Sequence, residues 1–271
     1  MSPGADIAFI GGGHMARCLV EGLIGQGWDA SRIAIADPDA ATRGALARDL
    51  QVRALEHNLM AAASAPLWVL AVKPQVARAV CESLAATARQ VRPLVVSIMA
   101  GITLAQLSQW LGIDTVVRSM PNQPAAIGAG MTALHAAVAL GPAQRAAAEA
   151  VFSGAGATLW MAHEAQMDTA TAVAGSGPAY LYLLAEAMEQ AAGALPPDTA
   201  RQLVVQTLLG AARMLQASGD APARLRERVT SPGGTTQAAI AVLEDGGWTT
   251  LLDRAVDAAQ ARGRELASQS G

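Results

Sequence analysis

A doubly wound parallel α/β sheet followed by an all-helical domain is the fold that the sequence predicts, and three observations carry it. Short, almost wholly apolar runs alternate with helical stretches through residues 6–161, the pattern of strands covered on both faces by helices. A glycine turn, Gly11-Gly12-Gly13, separates the first of these runs from the first helix. From about His163 the strand signals stop, and apolar residues recur only at helical spacing.

Size and composition agree with that division. The chain has 271 residues, whereas one compact domain typically holds about 100–200, so two domains are expected. Their predicted extents are 1–163 and 164–271. Hydrophobic residues at 52% against 15% charged exclude a disordered chain, and 3% aromatics implies an aliphatic, alanine-lined core. A net charge of −3 without a basic stripe gives no electrostatic case for nucleic acid or an anionic membrane. Arg224, Arg226 and Arg228 read as a solvated face. Cys18 and Cys81 lie far apart with no partner at metal spacing, so they read as small buried hydrophobes in a reducing compartment, and no metal site is expected. The chain opens on no secretory pattern, and no run reaches the ~18 apolar residues of a membrane helix. A soluble, cytoplasmic protein is the expectation.

The elements follow in order. Residues 6–10 form the first strand, and Met15, Leu19, Leu23 and Ile24 share one face of the helix behind it. Residues 32–36 make a second strand closed by Asp37-Pro38-Asp39. An almost wholly apolar strand is expected at 67–72, strands at 94–99 and 115–120 repeat that pattern, each after a helical segment, and strands at 131–135 and 158–161 flank a helix over 143–151. In the second half, Tyr180, Leu183, Leu184, Ala187, Met188 and Ala191 define a helix behind Ser176-Gly177-Pro178, with proline near its start and serine or glycine as its cap. Further helices are predicted over 198–217, from Pro222, from Thr235 or Thr236, and over 248–267.

Three motifs carry chemistry. Gly11-Gly12-Gly13-His14-Met15-Ala16 is a G-x-G-x-x-A between strand and helix, where glycines let the backbone approach a pyrophosphate and the helix N-terminus meets its charge. That is the signature of a Rossmann-type dinucleotide-binding domain. Asp37, ending the next strand, stands where an acidic residue holds the ribose hydroxyls and repels a 2′-phosphate, which favours NADH. Arg43, one helical turn on, is placed to meet such a phosphate instead, so the sequence leaves NADPH and NADH both open. Ala71-Val72-Lys73-Pro74 ends a buried strand at the edge where open α/β sheets bind ligands, and Lys73 is the one lysine beside 18 arginines. Val229-Thr230-Ser231-Pro232-Gly233-Gly234-Thr235-Thr236 places amides and hydroxyls at a helix N-terminus, suited to a substrate carboxylate.

With those motifs the chain resembles the pyrroline-5-carboxylate reductases. The likeness rests on Phe9-Ile10-Gly11 with Met15-Ala16, on His57-Asn58, on Ala71-Val72-Lys73-Pro74 and on Met120-Pro121-Asn122. It continues through Gly175-Ser176-Gly177-Pro178-Ala179-Tyr180 and the signature from Pro222, Leu225 and Val229 to Thr236, Ile240 and Leu243-Glu244. Two positions depart from the family pattern: Gln123 stands where threonine is usual, and Ala174 where serine is.

The resemblance implies hydride transfer from NADPH or NADH to the C=N carbon of 1-pyrroline-5-carboxylate, giving L-proline as the last step of proline biosynthesis. It implies that Gly11, Gly13, His14, Met15, Ala16, Asp37, Asn58, Ala71, Val72, Lys73, Pro74 and Asn122 contact the cofactor. Ser176, Ser231, Gly233, Gly234, Thr235 and Thr236 are implied for the substrate, with the Thr236 hydroxyl on the ring nitrogen as the catalytic contact. A hydroxyl is a poor acid, so Thr236 orients or relays a proton rather than donating it outright. His14 sits in the glycine fingerprint and shapes the turn, while His57, His135 and His163 have no partner at a telling spacing. The resemblance also implies a homodimer, at least, paired through the helical half. Two rival readings differ in what they require. A β-hydroxyacid dehydrogenase needs a lysine on the long helix, and residues 175–190 contain none. A non-catalytic dinucleotide sensor needs the first motif and has no use for the turn at 231–236.

Overall fold

The computed structural model describes residues 7–269. The chain divides into two compact units, one reaching to Ser176 and resumed from Ala258, the other spanning Gly177–Asp257. The first unit is built on eight strands: β1 (Ile7–Ile10), β2 (Ile33–Ala36), β3 (Arg53–Leu55), β4 (Leu67–Leu70), β5 (Leu94–Ser97), β6 (Val116–Met120), β7 (Gly130–Ala136) and β8 (Gly156–Trp160). They form one sheet in the order β3-β2-β1-β4-β5-β6-β7-β8. Sequence order reverses at β1, whose neighbours are β2 and β4, so the switch point that opens a ligand crevice lies between β1 and β4.

Successive side chains of a strand point to opposite faces, and both faces here are buried. Ile7, Phe9, Ile33 and Ile35 meet the layer containing α1 (His14–Gly25), α2 (Ala40–Leu50) and α6 (Pro142–Ala150). Ala8, Ala34, Leu70 and Val95 meet the other layer, of α3 (Asn58–Ala63), α4 (Ala77–Val91) and α5 (Leu104–Leu111). Alanines on that second face make room for Trp68, a fully buried indole whose N–H donates to the carbonyls of Ala62 and Ala65, both at 2.9 Å.

Three differences from the sequence reading have physical causes. The sheet is not wholly parallel, because β7 runs antiparallel to β6. Residues 121–129 connect them, fewer than the dozen or so that a parallel crossover requires. The predicted strand at 67–72 ends at Leu70, and Ala71 and Val72 leave the sheet to form a turn, where their apolar character serves packing against the two core layers. β3 and α3 carry too little hydrophobic periodicity to be read from sequence, since β3 is a three-residue edge strand.

Glu164 precedes α7 (Gln166–Ala170) and a π-helical turn over Thr171–Gly175, which bring the first unit to Ser176. The second unit is helical throughout: α8 (Gly177–Ala191), α9 (Pro197–Ser218), α10 (Pro222–Arg228), α11 (Thr235–Asp245) and the first part of α12 (Trp248–Gln269). Arg224, Arg226 and Arg228 form exposed ion pairs with Glu227, Glu244 and Asp220, as a solvated face should.

Candidate active site

Each glycine of the first turn answers a different demand. Gly11 has φ +104°, and a Cβ there would lie 2.7 Å from the Ala71 carbonyl oxygen, so only glycine lets the turn after β1 pass the turn after β4. A Cβ on Gly12 would lie 2.7 Å from Leu46 Cδ1, so a larger residue there would have to displace the end of that side chain on α2. A Cβ on Gly13 would meet no protein atom within 4 Å. The space above Gly13 is therefore an open cradle at the N-terminus of α1, where the amides of His14, Met15 and Ala16 have no intrahelical acceptor. Such a cradle fits a pyrophosphate. His14 is exposed at the head of this helix, with Nδ1 3.8 Å from the Cys18 sulfur.

The same edge of the sheet gathers the other predicted cofactor residues of the first four strands. Gly11 N–H donates to the Ala36 carbonyl and Ala71 N–H to the Ile10 carbonyl, both at 2.8 Å, which ties the ends of β1, β2 and β4 together. Asp37 follows β2, and its carboxylate accepts from Gly12 N–H and from Asp39 N–H, each at 2.9 Å. Asn58 begins α3 beyond the end of β3. Val72 is half-buried, Lys73 is exposed, and Pro74 opens a short 3-10 turn behind it.

Asn122 lies after β6, three strand spacings or roughly 14 Å across the sheet from β1. Its buried amide is already engaged: Nδ2 donates to the Ala174 carbonyl at 2.9 Å, and Oδ1 accepts from Met131 N–H at 3.0 Å. Ser176, one of the two caps that the sequence offers for the start of α8, instead closes the π turn as its C-cap. Its backbone is right-handed helical, and its N–H donates to the Thr171 carbonyl at 2.8 Å, closing the π turn five residues back. Missed in the sequence was the Arg118 cluster just below. Arg118, buried in β6, pairs with Glu164 at 3.1 Å and Asp168 at 3.4 Å, and Glu164 also accepts from Leu104 N–H at 2.8 Å.

The turn at 231–236 stands in the second unit. Pro232 and Gly233, with φ +70° at Gly233 and a 3.0 Å bond from Gly234 N–H to the Ser231 carbonyl, have the marks of a type II turn. Gly233 N–H donates to Gln237 Oε1 at 2.6 Å. Both glycine amides are thus spent inside the turn, which revises the expectation that they serve a carboxylate. The amides left at the head of α11 are those of Thr235, Thr236 and Gln237, and the hydroxyls of Ser231, Thr235 and Thr236 are bonded to no group among the described residues. Gln237 was missed in the sequence, although a glutamine three residues after the cap is a legible capping signal.

A switch-point crevice with a glycine cradle, followed by a helical half with a hydroxyl-rich helix N-terminus, defines a Rossmann-type dinucleotide oxidoreductase. Known proteins narrow this. Residues 164–266 match the family model "Pyrroline-5-carboxylate reductase dimerisation", and residues 6–101 match "NADP oxidoreductase coenzyme F420-dependent". The chain is 46% identical to the pyrroline-5-carboxylate reductase of Pseudomonas aeruginosa, over 98% of each chain. It superposes on a solved pyrroline-5-carboxylate reductase from Coxiella burnetii with TM-score 0.92 at 39% identity, covering 97% of this chain and 99% of that one. A Plasmodium falciparum pyrroline carboxylate reductase solved with NADP bound gives TM-score 0.85 at 25% identity, covering 98% and 99%. The chain belongs to the pyrroline-5-carboxylate reductase family.

Proposed function

We infer that the chain reduces 1-pyrroline-5-carboxylate to L-proline with NADPH or NADH, the last step of proline biosynthesis. The observation that carries this is the 46% identity to a reductase of that name across 98% of both chains. The bound reduced nicotinamide supplies the hydride that adds to the C=N carbon. The cradle at Gly13, the free amides of His14, Met15 and Ala16, and the turn at Ala71, Val72, Lys73 and Pro74 hold the cofactor. Asp37 and Asn58 take its adenosine side, and Asn122 lies toward its nicotinamide side.

In the second unit the Thr235 and Thr236 amides at the head of α11 receive the substrate carboxylate, where the helix dipole favours an anion. Ser231 adds a hydroxyl at that helix N-terminus, and Ser176 is a further candidate for substrate contact. The Thr236 hydroxyl hydrogen-bonds the ring nitrogen, which takes one proton as hydride reaches carbon, so Thr236 orients or relays that proton. Holding the imine at near-attack distance supplies much of the acceleration.

The functional boundary lies near residue 164, where the dimerisation match begins. The working form is at least a homodimer. Leu181, Leu183, Leu203 and Val205 are each more than half exposed, and an apolar groove of about 320 Å³ runs past Tyr180, Leu184, Trp248 and Leu252. Faces of that kind are what a partner subunit covers. No helix among the described residues is long and apolar enough to cross a membrane, and two free, buried cysteines suit the cytoplasm. The test is nicotinamide oxidation with 1-pyrroline-5-carboxylate and product analysis. Proline formed in step with oxidation supports the reading, and cofactor binding without turnover overturns it in favour of a sensor.

A further inference from the structure

We propose that the chain prefers NADH to NADPH, and that Asp37 sets the choice while Arg43 is kept from reversing it. The proposal rests on the reductase reading only in assigning the crevice to a nicotinamide cofactor.

The sequence leaves two opposed groups in the turn after β2, a carboxylate that excludes a 2′-phosphate and a guanidinium that attracts one. Geometry separates them. Asp37 is braced by two backbone N–H groups, Gly12 on Oδ2 and Asp39 on Oδ1, both at 2.9 Å. A carboxylate has about four lone-pair sites, so one remains on each oxygen. Two braced acceptors, each with a lone-pair site to spare, match the two donors of a ribose 2′,3′-diol. A 2′-phosphate offers no donor when ionised and brings a charge of about −1.5 to −2.

Arg43 does not offset that repulsion. Its Nη1 donates to the carbonyls of Asp37 at 2.9 Å and Pro38 at 2.8 Å, and its Nη2 pairs with Glu56 at 3.3 Å. The side chain is only 20% exposed. To reach out to a phosphate, the guanidinium would have to pull against this network, in which three of its five N–H groups are committed. Asp39 adds to the negative field, since the Thr42 hydroxyl and amide on its carboxylate hold it below the usual carboxylate range. The turn thus sets Asp37, Asp39 and Glu56 against one tethered cation.

Equilibrium binding tests this without substrate. The protein is titrated with NADH and with NADPH, read by tryptophan quenching, and each is displaced with 5′-AMP and with 2′-AMP. NADH should bind at least about tenfold tighter, a difference of about 1.4 kcal/mol, and 2′-AMP should compete less well than 5′-AMP. Equal or tighter NADPH binding overturns the proposal. Asp37→Ser should narrow or invert the ratio, and an unchanged ratio in a folded variant reduces Asp37 to a brace and overturns it as well. If Asp37→Ser does not fold, Arg43→Ala decides: a ratio within about threefold of the parent supports the tether. A selective tenfold loss of NADPH binding shows that Arg43 holds the phosphate and overturns the tether. Tight NADH binding without proline formation would defeat the reductase reading and leave this one standing.

Discussion

Asn122 clasps the carbonyl of Ala174 at 2.9 Å with the same side-chain amide that accepts from Met131 N–H at 3.0 Å. The Ala174 carbonyl is available because Pro178, four residues on, has no N–H to return to it, and because residues 171–175 wind as a π turn. Met-Pro-Asn and Gly-Ser-Gly-Pro, far apart in sequence, are therefore two halves of one structural device. Asn122→Ala would leave a part-buried carbonyl and a part-buried amide without their partner, each costing about 1 kcal/mol. Urea unfolding should show the loss. Asn122→Asp keeps the acceptor for Met131 and sets a carboxylate against the Ala174 carbonyl, so it should not rescue stability.

Gly11 and Gly13 should separate folding from binding. Gly11→Ala forces an alanine to φ +104° and drives its Cβ to 2.7 Å from a carbonyl oxygen. The backbone strain alone costs about 1–3 kcal/mol, so its melting temperature should fall. Gly13→Ala places a methyl group where no protein atom lies within 4 Å. Its melting temperature should match the parent's while its dinucleotide affinity drops, by about tenfold or more on the scale of one lost close contact. A Gly13→Ala protein that binds cofactor normally would remove the pyrophosphate from that cradle.

How much of this was legible in sequence depends on whether a feature is local. Apolar strands of four residues flanked by helical stretches announce a covered sheet, and Gly11 through Ala16 announce its crevice, because both signals lie within a few consecutive residues. The direction of β7 is also legible from the length of the loop at 121–129, although strand composition does not reveal it. What stayed hidden depends on contacts across the fold. Asn122 with Ala174, Arg118 with Glu164, and Arg43 on the Asp37 and Pro38 carbonyls have spacings that no periodicity encodes. The amides and hydroxyls of the turn at 231–236 are visible in the sequence, yet which amides remain free follows only from the Ser231 carbonyl holding Gly234 and Gln237 folding back on Gly233.

Thr236 is the chain's contact with the reacting nitrogen in the proposed mechanism, and its variants should act on turnover more than on binding. Positioned proton transfer contributes about 10²–10⁴-fold, and a hydroxyl that only orients or relays should lie at or below the lower end. Thr236→Ala is expected to lower kcat by about a hundredfold or less, with a smaller change in KM because the Thr236 amide still holds the carboxylate. Thr236→Ser should recover most of the rate. Steady-state kinetics with saturating cofactor distinguishes the two parameters, and an undiminished kcat in Thr236→Ala would remove the hydroxyl from the chemistry.

The two cysteines should be silent in the native protein. Burial pushes the Cys81 thiol up to about 12, with Glu82 adding to it. Cys18 is also raised, first by burial and then by Glu21. The thiolate is the nucleophile, so neither sulfur should react readily with Ellman's reagent at pH 8, while both should react in urea. Because the folded chain holds these protons more tightly than the unfolded one, the stability they contribute is complete below the unfolded thiol value of about 8.5 and declines as pH rises toward 12.

Arg118 is the buried charge on which the end of the sheet depends. It is flanked by strand neighbours on β5 and β7 and, among the described residues, is answered by Glu164 and Asp168, the first of which also receives Leu104 N–H at the head of α5. Removing one partner of such a cluster strands the others, which costs roughly 3 kcal/mol, whereas replacing the group by apolar residues of like volume can be neutral. Arg118→Ala and Glu164→Ala should each lower the urea midpoint. The double variant should lose less than the sum, since removing Arg118 leaves Glu164 with little left to lose. Additive losses in that cycle would mean that the two side chains act separately, with Glu164 serving mainly as the acceptor for α5.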